Sequence, residues 1–115
     1  MIKVRKEKEG YLVSLYELRK INTLFSDALG EELSEIAENK GVKIYFDLSR
    51  INFIDSAGFS MLKEISQKAQ SNSSEFILCN LSAEVKELIQ LPDVQNYFKI
   101  CEKEFEKEKV LVNVR

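Results

Sequence analysis

The run Val42-Lys43-Ile44-Tyr45-Phe46-Asp47-Leu48 restricts the fold of this chain more than any other segment. It is short, apolar, and rich in β-branched and aromatic residues, and a single glycine, Gly41, separates it from a long amphipathic segment. Such a run is expected to be a central strand buried on both faces. A strand of that kind following directly on a helix implies a sheet covered by helices.

The flanking sequence fits that frame. Ile2 and Val4, then Tyr11, Val13 and Leu15, alternate with mostly polar residues on either side of Glu9-Gly10, which predicts two strands paired as a hairpin. From Thr23 the period changes. Phe25, Ala28, Leu29, Leu33, Ile36 and Ala37 recur at helical spacing, with Asp27, Glu31, Glu32, Glu35 and Glu38 mostly opposite. Asn22 or Thr23 is placed to cap this helix, and Gly41 to supply a left-handed C-terminal residue. After the Val42–Leu48 strand, a polar step at Ser49-Arg50 leads to the apolar stretch Ile51-Asn52-Phe53-Ile54. Asp55-Ser56-Ala57-Gly58 then opens a second helix, with Phe59 or Met61, Leu62, Ile65 and Ala69 on its apolar face. Glu75 to Cys79 reads as the next buried strand. Ser82 caps a short helix carrying Val85, Leu88 and Ile89, which Leu91-Pro92 stops. Tyr97, Phe98 and Ile100 suggest an edge strand. The tail from Cys101 to Arg115 favours helix in its Glu/Lys-rich first part and strand around Val110-Leu111-Val112. The predicted order is β-β-α-β-α-β-α-β-α in one α/β domain spanning residues 1–115, with no internal repeat.

Several function classes are disfavoured. The 17 basic and 19 acidic residues leave a net charge of −2, so no polyanion such as nucleic acid is an expected partner. The N-terminus has no continuous apolar segment of signal-peptide type, and no stretch is long and apolar enough to insert in a membrane. Cys79 and Cys101 carry no CxxC spacing and are expected to be reduced thiols in a cytoplasmic protein. The chain contains no histidine, which removes Ser-His-Asp and Cys-His nucleophile pairs and every His-ligated metal site. Neither GxxxxGK[ST] nor GxGxxG occurs. The acids Glu31, Glu32, Glu35 and Glu38 read as a solvated helix face rather than a metal site. No metal, cofactor or catalytic residue is expected.

What stands out chemically is the strand-to-helix turn at Asp55-Ser56. Either residue suits a helix N-cap, which alone would account for both. A hydroxyl presented at a helix start is also a place where a phosphate would be tolerated. Gly58, in the first helical turn, is either a tolerated defect or a point where another backbone or a ligand comes close. One of Phe59 and Met61 is in excess of the core face and would serve as a docking anchor if exposed.

The stretch Ile44-Tyr45-Phe46-Asp47-Leu48-Ser49-Arg50-Ile51-Asn52-Phe53-Ile54-Asp55-Ser56-Ala57-Gly58-Phe59 resembles the STAS domain, the family named for sulfate transporters and anti-sigma factor antagonists. The family pattern is an apolar strand ending near Asp-Leu-Ser, then (Val/Ile)-x-(Phe/Tyr)-(Ile/Met)-Asp-Ser-(Ser/Thr/Ala)-Gly-Leu opening a helix; here Phe59 replaces the usual Leu. Phe76 to Leu88 is similar to the family's next strand, loop and helix. The resemblance implies a mixed sheet of about four to five strands with about four helices. It also implies a bacterial signalling role in transcription regulation. Ser56 would be phosphorylated by the partner, an anti-sigma factor that is also a serine kinase, and a serine phosphatase of the metal-dependent class would restore it. Asp55, Ser56, Ala57, Gly58, Phe59, Met61 and Asn22 would form the partner-binding face. Many such antagonists carry Gly-Glu-(Leu/Ile)-Asp after the second strand, where this chain reads Glu17-Leu18-Arg19-Lys20-Ile21-Asn22; only Asn22 stands in for the final Asp. That departure motivates an alternative, an unphosphorylated accessory subunit of a membrane transport system or other signalling complex. A small hydrolase using Asp47 and Asp55 is a third, weaker reading.

Overall fold

The computed structural model of this chain describes residues 1–91, 94 and 96–101. The elements are β1 (Ile2–Lys6), β2 (Gly10–Leu15), β3 (Lys20–Ile21), α1 (Thr23–Ala37), β4 (Lys43–Asp47), β5 (Phe53–Ile54), α2 (Ser56–Ser71), β6 (Glu75–Cys79), α3 (Ala83–Ile89) and β7 (Lys99–Cys101). The stop at Pro92 and the tail element proposed within residues 102–115 lie outside the described residues.

Among the described residues, five strands form a mixed sheet in the order β1-β2-β4-β6-β7. β1 pairs antiparallel with β2, as the hairpin pattern predicts, and every later pairing is parallel. β4 is central, between β2 and β6. Its burial is more one-sided than its composition suggests. Ile44 and Phe46 point into the core shared with Val13, Leu15, Phe76 and Leu78, whereas Lys43 and Tyr45, on the opposite face, are only partly buried. Among the described residues, all three helices contribute to that one core, through Leu29 and Leu33, Leu62 and Ile65, and Val85 and Ile89. The expectation of a strand buried on both faces therefore holds for one face only, because alternation along a strand lets one face stay amphipathic.

The structure adds a second, two-stranded sheet to the elements expected from the sequence. β3 and β5 pair in parallel, Lys20 against Phe53 and Ile21 against Ile54. Two residues each are too few to leave a periodic signal.

The helix ends show where local sequence decides. Asn22 caps α1, its side chain accepting from the Leu24 N–H at 3.1 Å. The helix stops at Ala37, before Gly41. Gly41 does take the left-handed conformation (φ +67°), but it serves the entry to β4, its N–H donating to the Asn72 carbonyl at 3.1 Å. Buried Ser74 holds the same junction, donating to the Asn39 carbonyl at 2.7 Å and accepting from the Val42 N–H at 3.0 Å. Ser82 caps α3 as expected, accepting from the Val85 N–H at 3.1 Å, and its hydroxyl also donates to the Ile51 carbonyl at 2.7 Å.

Candidate functional site

The site is built where two helices begin side by side. β3 leads into α1 and β5 leads into α2, so pairing β3 with β5 brings the two helix starts together. The ladder is extended by the Asp55 N–H, which donates to the Ile21 carbonyl at 3.1 Å, and the Asn52 N–H, which donates to the Arg19 carbonyl at 2.8 Å.

Asp55 joins the two helix starts through its side chain. As the α2 N-cap, it accepts from the Gly58 N–H at 2.8 Å through Oδ1. Its Oδ2 accepts from both the backbone N–H (3.0 Å) and the hydroxyl (3.1 Å) of Thr23, the first residue of α1. The capping alternatives thus resolve to Asp55 for α2 and Asn22 for α1. The Gly58 N–H is the main reason the Asp55 carboxyl titrates below the usual carboxylate range; partial desolvation opposes it, and the Thr23 donors reinforce it.

Gly58 is buried, and its role is geometric. A Cβ at this position would lie 2.6 Å from the Ile21 carbonyl oxygen and 2.8 Å from Ile54 Cγ2. The backbone that approaches it is therefore β3 of the same chain, and only glycine lets the first turn of α2 pack against β3.

Ser56, the first residue of α2, is exposed, and among the described residues its hydroxyl makes no hydrogen bond. Ala57 beside it is half-buried. Met61 is inside, 8% exposed, against α1, where a Cβ on Gly30 would meet Met61 Cγ at 3.0 Å. Phe59 is half-buried, packed on the core and tilted against Phe98 with ring centroids 6.3 Å apart. Neither Phe59 nor Met61 stands free on the surface. The exposed apolar side chains nearest in sequence to the Thr23–Asp55 link are instead Leu24, 78% exposed, and Phe53, 43% exposed. The signal for Leu24 is present but faint: it is an apolar residue in the first turn of α1, outside the Phe25-Leu29-Leu33 register. Phe53 belongs to the apolar run Ile51 to Ile54 and to the family motif, and neither says that it faces outward.

The residues of the hydrolase reading do different work. Asp47 is 3% exposed, and its Oδ1 accepts from the Ser49 N–H at 3.0 Å and the Asn80 amide at 3.1 Å. It organises the turn after β4. Among the described residues no group of three or more carboxylates and thiols is placed to hold a metal ion. No helix among them is long and apolar enough to cross a membrane.

Comparison with known proteins matches residues 15–106 to the family model described as the STAS domain. The Bordetella bronchiseptica protein BtrV, whose name proposes an anti-sigma factor antagonist, is 22% identical over 81 residues, covering 70% of each chain. Among solved structures, an anti-sigma factor antagonist (STAS) domain protein from Planctomyces limnophilus superposes with a TM-score of 0.79 at 15% identity, over 99% of this chain and 98% of its own. The Bacillus cell fate determinant SpoIIAA in its phosphorylated form superposes with a TM-score of 0.63 at 15% identity, over the full length of both chains (100% each). At such identities the superpositions establish the shared fold.

Proposed function

The chain belongs to the STAS domain family, and on that footing we propose that it is an anti-sigma factor antagonist whose binding is switched off by phosphorylation of Ser56. It binds an anti-sigma factor that doubles as a serine kinase; the phosphate added at Ser56 ends the complex, and a serine phosphatase of the metal-dependent class reverses the step. The domain is a substrate and a ligand in this cycle and catalyses none of it.

One observation carries the reading. Ser56 presents an exposed, unengaged hydroxyl at the first position of α2, next to a carboxylate that three donors of the fold, one on Gly58 and two on Thr23, keep in place and ionised. A phosphate there adds about −1.5 to −2 charges beside Asp55. The positive end of α2 tolerates that charge in the isolated protein. In a complex the same charge must be desolvated next to whatever faces Asp55, and a like-charge juxtaposition costs on the order of several kcal/mol. Leu24 and Phe53 offer the apolar contact such a complex needs.

The test is to incubate the protein with its co-purified kinase partner and ATP and to map phosphate by mass spectrometry. Phosphate is expected on Ser56 and none on the Ser56→Ala variant, which still binds the partner. Phosphate confined to other residues refutes the reading, as does stable recovery with a transport ATPase and permease and no modification at all.

A further inference from the structure

Cys79 and Cys101 are far apart in sequence but are direct register partners on adjacent parallel strands, β6 and β7. Neighbouring strands run about 4.7–4.9 Å apart, and residues in register on parallel strands project to the same face. A disulfide needs Cα atoms roughly 4.4–6.8 Å apart. Cys101 is close enough to Cys79 to add to the upward shift of the Cys79 thiol. Among the described residues β7 spans Lys99–Cys101 and is the terminal strand of the sheet, so it adjusts to a bridge more easily than an internal strand would. We propose that Cys79 and Cys101 form a redox pair that closes to a disulfide and fixes β7 to β6. This site is separate from Ser56 and does not depend on the function assigned there.

The chemistry balances with a low-molecular-weight disulfide such as oxidised glutathione as the oxidant. Cys101 is half-buried and Cys79 fully buried, so the oxidant enters at Cys101. The Cys101 thiolate attacks one sulfur of the oxidant, forming a mixed disulfide and expelling one thiolate. Cys79 Sγ then attacks Cys101 Sγ and expels the second. The oxidant is reduced to two thiols, which take the two protein protons, and the protein gains one S–S bond. Burial pushes the Cys79 thiol up to about 12, with the charges of Asp47 and Cys101 adding to the effect. The closing step is therefore slow at neutral pH, and its rate rises about tenfold per pH unit as the thiolate fraction grows.

The native full chain is treated with oxidised glutathione at pH 8, quenched in acid, and mapped by mass spectrometry. The expected course is a transient glutathione adduct on Cys101, then a linked peptide pair joining Cys79 to Cys101, with a raised Tm that dithiothreitol reverses. Cys79→Ser should stop at the Cys101 adduct, and Cys101→Ser should neither close nor acquire an adduct. A permanent Cys101 adduct in the wild-type chain, a Cys101-linked pair of chains, or closure seen only in denaturant would each overturn the proposal.

Discussion

Asp55 is bonded at the start of both helices, and this makes its protonation state a structural variable. Because its folded-state pKa lies below the ordinary carboxyl value of 3.8, its contribution to stability is present above that value and is lost as pH falls through the lower folded value. An NMR titration of the Asp55 side-chain carboxyl should place its midpoint below that of an ordinary Asp. Thr23→Val, which removes one of its donors, should move the midpoint upward; an unchanged midpoint would mean that the Thr23 hydroxyl does not bind the carboxylate in solution. Gly58 gives a sharper test of packing. Alanine in a helix normally gains about 1 kcal/mol over glycine. At Gly58 the added methyl meets backbone at 2.6 Å, so overpacking of about 1–3 kcal/mol should exceed that gain. At Gly30 the nearest atom is the flexible Met61 side chain at 3.0 Å, which can move aside. Urea denaturation should therefore rank Gly58→Ala well below Gly30→Ala in stability; the reverse order would refute the β3–α2 contact.

Among the elements, the α1–α2 pair supports the site from beneath. Met61 is buried at that contact while Ser56, five residues earlier on the same helix, stays exposed. Met61→Ala should cost about 2–5 kcal/mol in denaturant melts and leave the Ser56 surface available to a kinase. A loss of stability below 1 kcal/mol would place Met61 outside the core. Much of this layer was readable in the sequence. The period change at Thr23, the apolar run before Ser49 and the Ser82 cap each specify an element, because burial imposes a repeat that the residues must obey. The β3–β5 sheet was not readable. Its residue pairs are set by backbone hydrogen bonds between segments about thirty residues apart, which no local pattern encodes. α1 also ends before Gly41, since a left-handed glycine marks a turn without saying whether the helix has already stopped.

At the scale of the whole molecule, the mixed sheet is a platform with β1, paired antiparallel to β2, at one edge, where exposed Lys3, Arg5 and Lys6 discourage pairing with another chain. The helix starts that form the site are set at one place by the small sheet. The motif from Phe53 to Gly58 located that place in the sequence. The sequence did not, however, separate the residues that build the site from those that face outward. Gly58 and Met61 hold the structure together, Asn22 and Asp55 cap helices, and Ser56 with Leu24 and Phe53 is left at the surface. That division depends on which side chains the second sheet and the α1–α2 contact cover, so it required the fold. It predicts that Leu24→Ala weakens partner binding by about 1 kcal/mol or more without lowering Tm, as for an exposed interface anchor; a matching fall in Tm would make Leu24 a folding residue instead. The most direct test of the central claim is the affinity of the anti-sigma partner for unmodified and Ser56-phosphorylated protein, measured by titration calorimetry at one ionic strength. The phosphorylated form should bind at least about tenfold more weakly, each 1.4 kcal/mol of repulsion and desolvation contributing one such factor. Equal affinity of the two forms would contradict it.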